Sequence, residues 1–179
     1  MVITYQGGES FKISQGELSV VVNPKAKTSA DITLFSVGKD ETSEKSGFVV
    51  NGPGEYEIKG VSVKGFTSTS EGGMINTIYV LDVEGMNLCF LGRLAESELL
   101  AETLEQLEEI DILFAPISQN KLAVSLEPSI IIPTGFTSES LKKFLKDAGE
   151  DSAETLDKLV IKKKDLEGRE GDVVVLKEE

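Results

Sequence analysis

From Val2 to Leu91 the sequence runs in short apolar and β-branched stretches, most of them separated by turns rich in glycine, proline or asparagine. That rhythm leaves no window long enough for an amphipathic helix and dictates strands. It predicts them over Val2–Tyr5, Phe11–Ile13, Leu18–Val22, Ile32–Phe35, Phe48–Val50, Tyr56–Ile58, Val61–Lys64, Thr77–Val83 and Asn87–Leu91. Asn23-Pro24 ends the third run, and Asn51-Gly52-Pro53-Gly54 forms a turn after the fifth. Glu84-Gly85 has the two-residue length of a hairpin loop.

Beyond Leu91 the pattern changes. Leu100, Leu104 and Leu107 recur at helical spacing among glutamates and predict a helix over Ser97–Glu109. Thr137 has the chemistry of an N-cap, with Phe136 and Leu141 placed as a hydrophobic staple. Leu141, Phe144, Leu145 and Ala148 then share one face, and Gly149 stands at the expected helix end. Apolar strands are expected at Ile112–Ala115 and Ile130–Pro133, and a last pair at Leu159–Lys162 and Val173–Leu176. Strands in meander order followed by alternating strand and helix predict a layered α/β sandwich, read as one domain over residues 1–179.

Composition narrows the chemistry. The chain contains no histidine and a single cysteine, Cys89. Histidine is the commonest metal ligand and the side chain that titrates nearest neutrality. Its absence excludes Ser-His-Asp and Cys-His nucleophile pairs and every zinc site built on imidazole; one thiol excludes four-cysteine zinc. Carboxylate chemistry, an activated Lys, Tyr or Cys, or a hard cation on oxygen ligands is left. A net charge of −13 repels phosphate backbones and anionic lipid, so neither nucleic acid nor membrane is an expected partner. The apolar runs fall short of the ~20 residues of a membrane span. With an N-terminus lacking signal-peptide features and a lone cysteine, the expectation is a cytoplasmic protein.

Several segments carry a family likeness: ITYQGGESFKI with VVVNP, ADITLFS, NGPGEYEIKGVSVKGF, NTIYVLDVEGMNLCFLGRL, DILFAPIS and EPSIIIPTGF. Together they cover most of residues 1–136, and the chain resembles the metallo-β-lactamase superfamily, in the short bacterial branch similar to ascorbate-6-phosphate lactonase. The resemblance implies a four-layer αββα sandwich, here truncated, with metal ligands on loops at one edge of the sheets. Between the strands at Ile112–Ala115 and Ile130–Pro133 the family places a full helix. SQNKLAVSLEPS leaves room for a turn or two.

The family's His-x-His-x-Asp-His loop falls on Val37, Lys39, Glu41 and Thr42, with Asp40 beside them. Its other ligand positions fall on Gly8, Ser70 and Gly135, and its bridging aspartate on Arg93. The resemblance implies zinc or manganese, but the histidine ligands are absent, so no cofactor is expected. The first reading is a non-catalytic binding or assembly module, with a homo-oligomer or an unidentified protein as partner. In it, Arg93 or Lys39 pairs with Glu41 or Asp40 in the metal's place. The alternative is a hydrolase of phosphoesters or lactones, with a rebuilt carboxylate site of Asp40, Glu41, Glu55 or Asp82 around Mg²⁺, Mn²⁺ or Ca²⁺. Glu55 and Glu57 are expected on an exposed strand face, Cys89 in the core, and Asp31 at the start of its strand.

Overall fold

The computed structural model describes residues 1–38, 47–107, 109–147, 149 and 153–179. In chain order the strands are β1 (Val2–Tyr5), β2 (Phe11–Gln15), β3 (Leu18–Val22), β4 (Ile32–Leu34), β5 (Phe48–Val50), β6 (Gly54–Ile58) and β7 (Val61–Thr69). They continue with β8 (Ile75–Val83), β9 (Met86–Phe90), β10 (Ile112–Pro116), β11 (Ile130–Thr134), β12 (Glu154–Leu156), β13 (Leu159–Val160) and β14 (Asp172–Leu176). Among the described residues three α-helices accompany them: α1 (Ala101–Gln106), α2 (Asn120–Ser125) and α3 (Ser138–Asp147).

The strands build a six-stranded sheet, β13-β1-β2-β3-β4-β5, and an eight-stranded sheet, β12-β14-β11-β10-β9-β8-β7-β6. Alternation along each strand decides which residues meet between them. Ile3, Phe11, Ile13, Val20, Val22, Ile32 and Leu34 from the smaller sheet join Val63, Leu81, Leu88, Phe90, Ile112, Phe114 and Ile132 from the larger in one buried cluster. Phe90 and Phe114 stack at 4.0 Å between ring centres, and Phe11 meets Phe114 edge-on at 4.6 Å, joining the two sheets. The opposite face of the larger sheet buries Ile78, Cys89, Leu113, Ala115 and Ile131 beneath Leu122 and Ala123 of α2 and Phe144 of α3. This is the layered α/β sandwich that the strand and helix pattern predicts.

Local chemistry accounts for most boundaries. Val83 pairs with Met86 across Glu84-Gly85, whose φ values of 55° and 75° are those of a primed two-residue turn. Thr137 caps α3 by accepting from the Ser140 N–H at 3.2 Å, and Phe136 and Leu141 pack on the same cluster. The short connection after β10 forms one turn of 3-10 helix, Ile117–Gln119, and the six-residue α2.

Three expectations need correction. The helix predicted over Ser97–Glu109 shrinks to α1, because Leu100 is extended (ψ 142°) with no side-chain cap and Leu107 is extended again (ψ 102°). Leu100 and Leu104 are 64% and 43% exposed, and Leu99, Thr103 and Leu107 turn inward in their place. β7 runs five residues past its predicted end, through Gly65 to Thr69, because β8 offers a continuous antiparallel partner. The predicted strand Leu159–Lys162 is only the two residues of β13, since a 3-10 turn begins at Lys163. Ala148 and residues 39–46 lie outside the described residues.

Candidate functional site

β9, β10 and β11 run parallel, so the chain leaves all three at the same edge of the larger sheet. The segments that follow them, together with the loop after β4 and the loop between β1 and β2, line two adjoining cavities. One, of about 500 Å³, is bounded by Gly7, Gly8, Glu9, Asn23, Lys25, Ser36, Val37, Gly38, Met74 and Arg93, among others. The other, of about 410 Å³, shares Glu9, Met74 and Arg93 and adds Glu71, Ser118, Thr134 and Gly135. Beneath them the Phe11, Phe90 and Phe114 cluster forms an apolar floor.

A buried polar framework fixes the cleft's walls. Asn76, fully buried, donates to Ser68 Oγ at 2.7 Å and to the Leu91 carbonyl at 3.0 Å, and its Oδ1 accepts from the Arg93 N–H at 2.9 Å. On the other side Asn23 Oδ1 accepts from the Ser36 N–H at 2.8 Å, while Nδ2 donates to Ser36 Oγ at 3.2 Å and the Glu9 carbonyl at 3.4 Å. Gly92 sits between these asparagines with φ 63°; a Cβ there would lie 2.6 Å from Asn76 Oδ1 and Ser36 Cβ, so only glycine fits. The Tyr5 hydroxyl donates to the Gly8 carbonyl at 3.0 Å; burial, and then the Glu178 charge, push its pKa up.

Arg93 reaches across the cleft to Glu9. Its Nε and an Nη both lie 3.3 Å from Glu9 Oε2. Lys25 lies on the wall of the larger cavity and pairs with Glu178 at 2.9 Å.

Of the positions taken from the resemblance, Gly8, Val37 and Arg93 line the larger cavity, and Arg93 and Gly135 the smaller. Ser70 is buried beside them, its hydroxyl donating to the Met74 carbonyl at 3.1 Å. Lys39, Asp40, Glu41 and Thr42 fall outside the described residues, and with them the predicted pairing of Arg93 or Lys39 with Glu41 or Asp40. Among the described residues the carboxylate that Arg93 meets is Glu9, which no spacing in the sequence singles out. Asn76 could have been noticed as the amide at the head of an otherwise apolar run.

Several other candidates lie elsewhere. Glu55 and Glu57 are exposed on the edge strand β6, as expected, and Cys89 is fully buried. Asp82 accepts from the Gly85 N–H at 2.8 Å, at the end of β9 remote from Arg93, so it is not part of this cleft. Asp31 stands immediately before β4, where its Oδ2 accepts from the N–H and Oγ of Ser19 and its other oxygen pairs with Lys59.

The described residues do not fit a transition metal. None of Gly8, Val37, Ser70 and Gly135 offers an imidazole, thiolate or carboxylate, and a guanidinium has no lone pair to give. Among the described residues no three His, Cys, Asp or Glu side chains gather into a group able to hold a metal ion.

A two-sheet sandwich with its cleft at the loop edge defines the class, and the sequence agrees. Residues 2–135 match the beta-lactamase superfamily domain, and the chain belongs to that superfamily. Among solved structures it is similar to a proposed Zn-dependent hydrolase of the metallo-β-lactamase superfamily from Thermotoga maritima. The two are 27% identical, covering 98% of this chain and 97% of that one, with a TM-score of 0.79. It shares the fold of Igni18, a metallo hydrolase from Ignicoccus hospitalis, at 12% identity, with 90% of this chain and 99% of that one covered and a TM-score of 0.62. The metallo-β-lactamase fold protein YhfI from Bacillus subtilis matches at 8% identity, 99% and 97% coverage and a TM-score of 0.64. No curated protein matches the sequence significantly. Among the described residues no helix is long and apolar enough to cross a membrane.

Proposed function

We propose that this protein is a non-catalytic binding module on a hydrolase scaffold, its metal ligands replaced by ordinary protein contacts. One observation carries the reading: Arg93, at the position where the resemblance implies a bridging carboxylate, extends a guanidinium into the cleft and pairs with Glu9. A guanidinium keeps its proton at every accessible pH, offers no acceptor and repels a divalent cation. A chain without histidine has no imidazole with which to compensate.

The scaffold retains what binding needs: a cleft with an apolar floor and walls held by the buried Asn76 and half-buried Asn23 amides, placed where open α/β sheets carry ligands. Hydrolysis would need an activated water; the described wall residues include no imidazole, and the Glu9 carboxylate is engaged by Arg93.

Elemental analysis of the purified protein, after dialysis and gel filtration, tests the reading. The expected result is less than stoichiometric metal, no thermal stabilisation by Zn²⁺, Mn²⁺ or Mg²⁺, and no turnover of phosphodiester or lactone substrates. Stoichiometric, tightly held metal with metal-dependent turnover would overturn it.

A further inference from the structure

Among the described residues two cations line the larger cavity, Arg93 and Lys25, and the carboxylate partner of Arg93 engages it loosely. Arg93 directs both Nε and an Nη at a single oxygen of Glu9, each at 3.3 Å, where a charge-assisted pair closes to ~2.7–2.9 Å and a fork-on-fork pair uses both oxygens. Its side chain is 58% exposed, and that of Lys25, on the same cavity wall, is 55% exposed. Ser36, only 2% exposed, lines the same cavity and accepts from Asn23 through Oγ, and a hydroxyl can donate as well as accept.

We infer that this cleft binds a small oxyanion, a carboxylate or phosphate group, with Arg93 exchanging Glu9 for the ligand and Lys25 and Ser36 completing the contact. The inference rests on the metal-free reading above and gives that site its ligand class. The guanidinium plane matches two oxygens of either group. The Asn76 amide fixes the Arg93 backbone, so the exchange requires side-chain rotation alone. A cavity of about 500 Å³ accommodates a metabolite-sized anion rather than a polymer.

The test is an amide chemical-shift titration of the whole chain, at constant ionic strength, with inorganic phosphate in one arm and malonate in the other. Saturable shifts confined to Gly7–Glu9, Lys25, Ser36–Gly38 and Arg93 are expected in at least one arm, and the arm that saturates identifies the oxyanion. Arg93→Gln should weaken that binding roughly tenfold or more, and Arg93→Lys should weaken it less. Glu9→Gln should strengthen it, because it removes the competing carboxylate; a merely structural Glu9 would not give that sign. A well-dispersed spectrum of each variant confirms folding. Absence of saturation in both arms, or equal affinity in wild type and Arg93→Gln, overturns the inference. The same titration with Zn²⁺ and Mn²⁺ separates it from the metal-free reading. Anion binding that requires stoichiometric metal sinks the metal-free reading and the inference with it, whereas no response to metal or anion sinks the oxyanion alone.

Discussion

Asp111 and Lys163 form a lopsided ion pair: the carboxylate is 3% exposed and the ammonium 53%, with Nζ 2.7 and 2.8 Å from the two oxygens. Asp111 Oδ2 also accepts from the Asn87 N–H at 2.8 Å, so one buried side chain ties the start of β10 to β9 and to the C-terminal segment.

The two partners should therefore respond unequally to mutation. Lys163→Met leaves a buried carboxylate with one backbone donor and should cost about 1–3 kcal/mol in urea unfolding. Replacing Asp111 by Asn in the same chain should recover part of that loss, since a neutral amide tolerates the site without the ammonium. Additive effects in the double-mutant cycle would contradict the pairing.

Tyr79 makes a second test. Its fully buried hydroxyl donates toward the carbonyls of Phe35 at 3.0 Å and Gly52 at 3.3 Å, and accepts from the Gly52 N–H at 2.9 Å. It thus locks the turn before β6 and the residue after β4 onto β8. Tyr79→Phe orphans those backbone groups and should lower stability by about 1–3 kcal/mol. An unchanged melting temperature would show that the hydroxyl bonds are not limiting.

Acid should reveal Asp31. The Lys59 ammonium and then the Ser19 N–H and hydroxyl lower its pKa from 3.8 to about 2. A carboxyl depressed in the folded state contributes stability that is fully present above its unfolded pKa and fades as pH falls toward the folded one. Wild type should accordingly lose stability more steeply than Asp31→Asn between pH 3.8 and about 2, measured by thermal melts at each pH. Parallel curves would refute the assignment.

Cys89 should be silent. Burial alone pushes its thiol up to about 12, so almost no thiolate exists near neutrality. An aromatic disulfide reagent should label the native protein only as fast as it unfolds, and labelling at the free-thiol rate would contradict the buried placement.

Much of the fold is legible in the sequence because its cause is local. Alternation in Val61–Lys64, the Glu84-Gly85 turn and the Thr137 cap each act within a few residues, and each forms where the pattern puts it. The reading failed in the extent of the helix expected over Ser97–Glu109, which forms only over Ala101–Gln106 and leaves Leu100 and Leu104 exposed. A six-residue helix without a cap follows its packing neighbours rather than its periodicity. It also failed at Thr67–Thr69, a polar stretch that joins β7 only because β8 offers it a ladder.

The cleft divides along the same line. The missing histidines are a matter of composition, visible without coordinates, and they bound the chemistry at once. That Arg93 meets Glu9 is not visible, because the two stand 84 positions apart and neither lies in a repeating pattern. The sequence by itself settled most of the strands, the turns and the donor atoms at the protein's disposal, since these depend on neighbouring residues and on counting. Which charge faces which across the cleft was decided only when two sheets closed on a shared apolar core and brought distant loops to one edge.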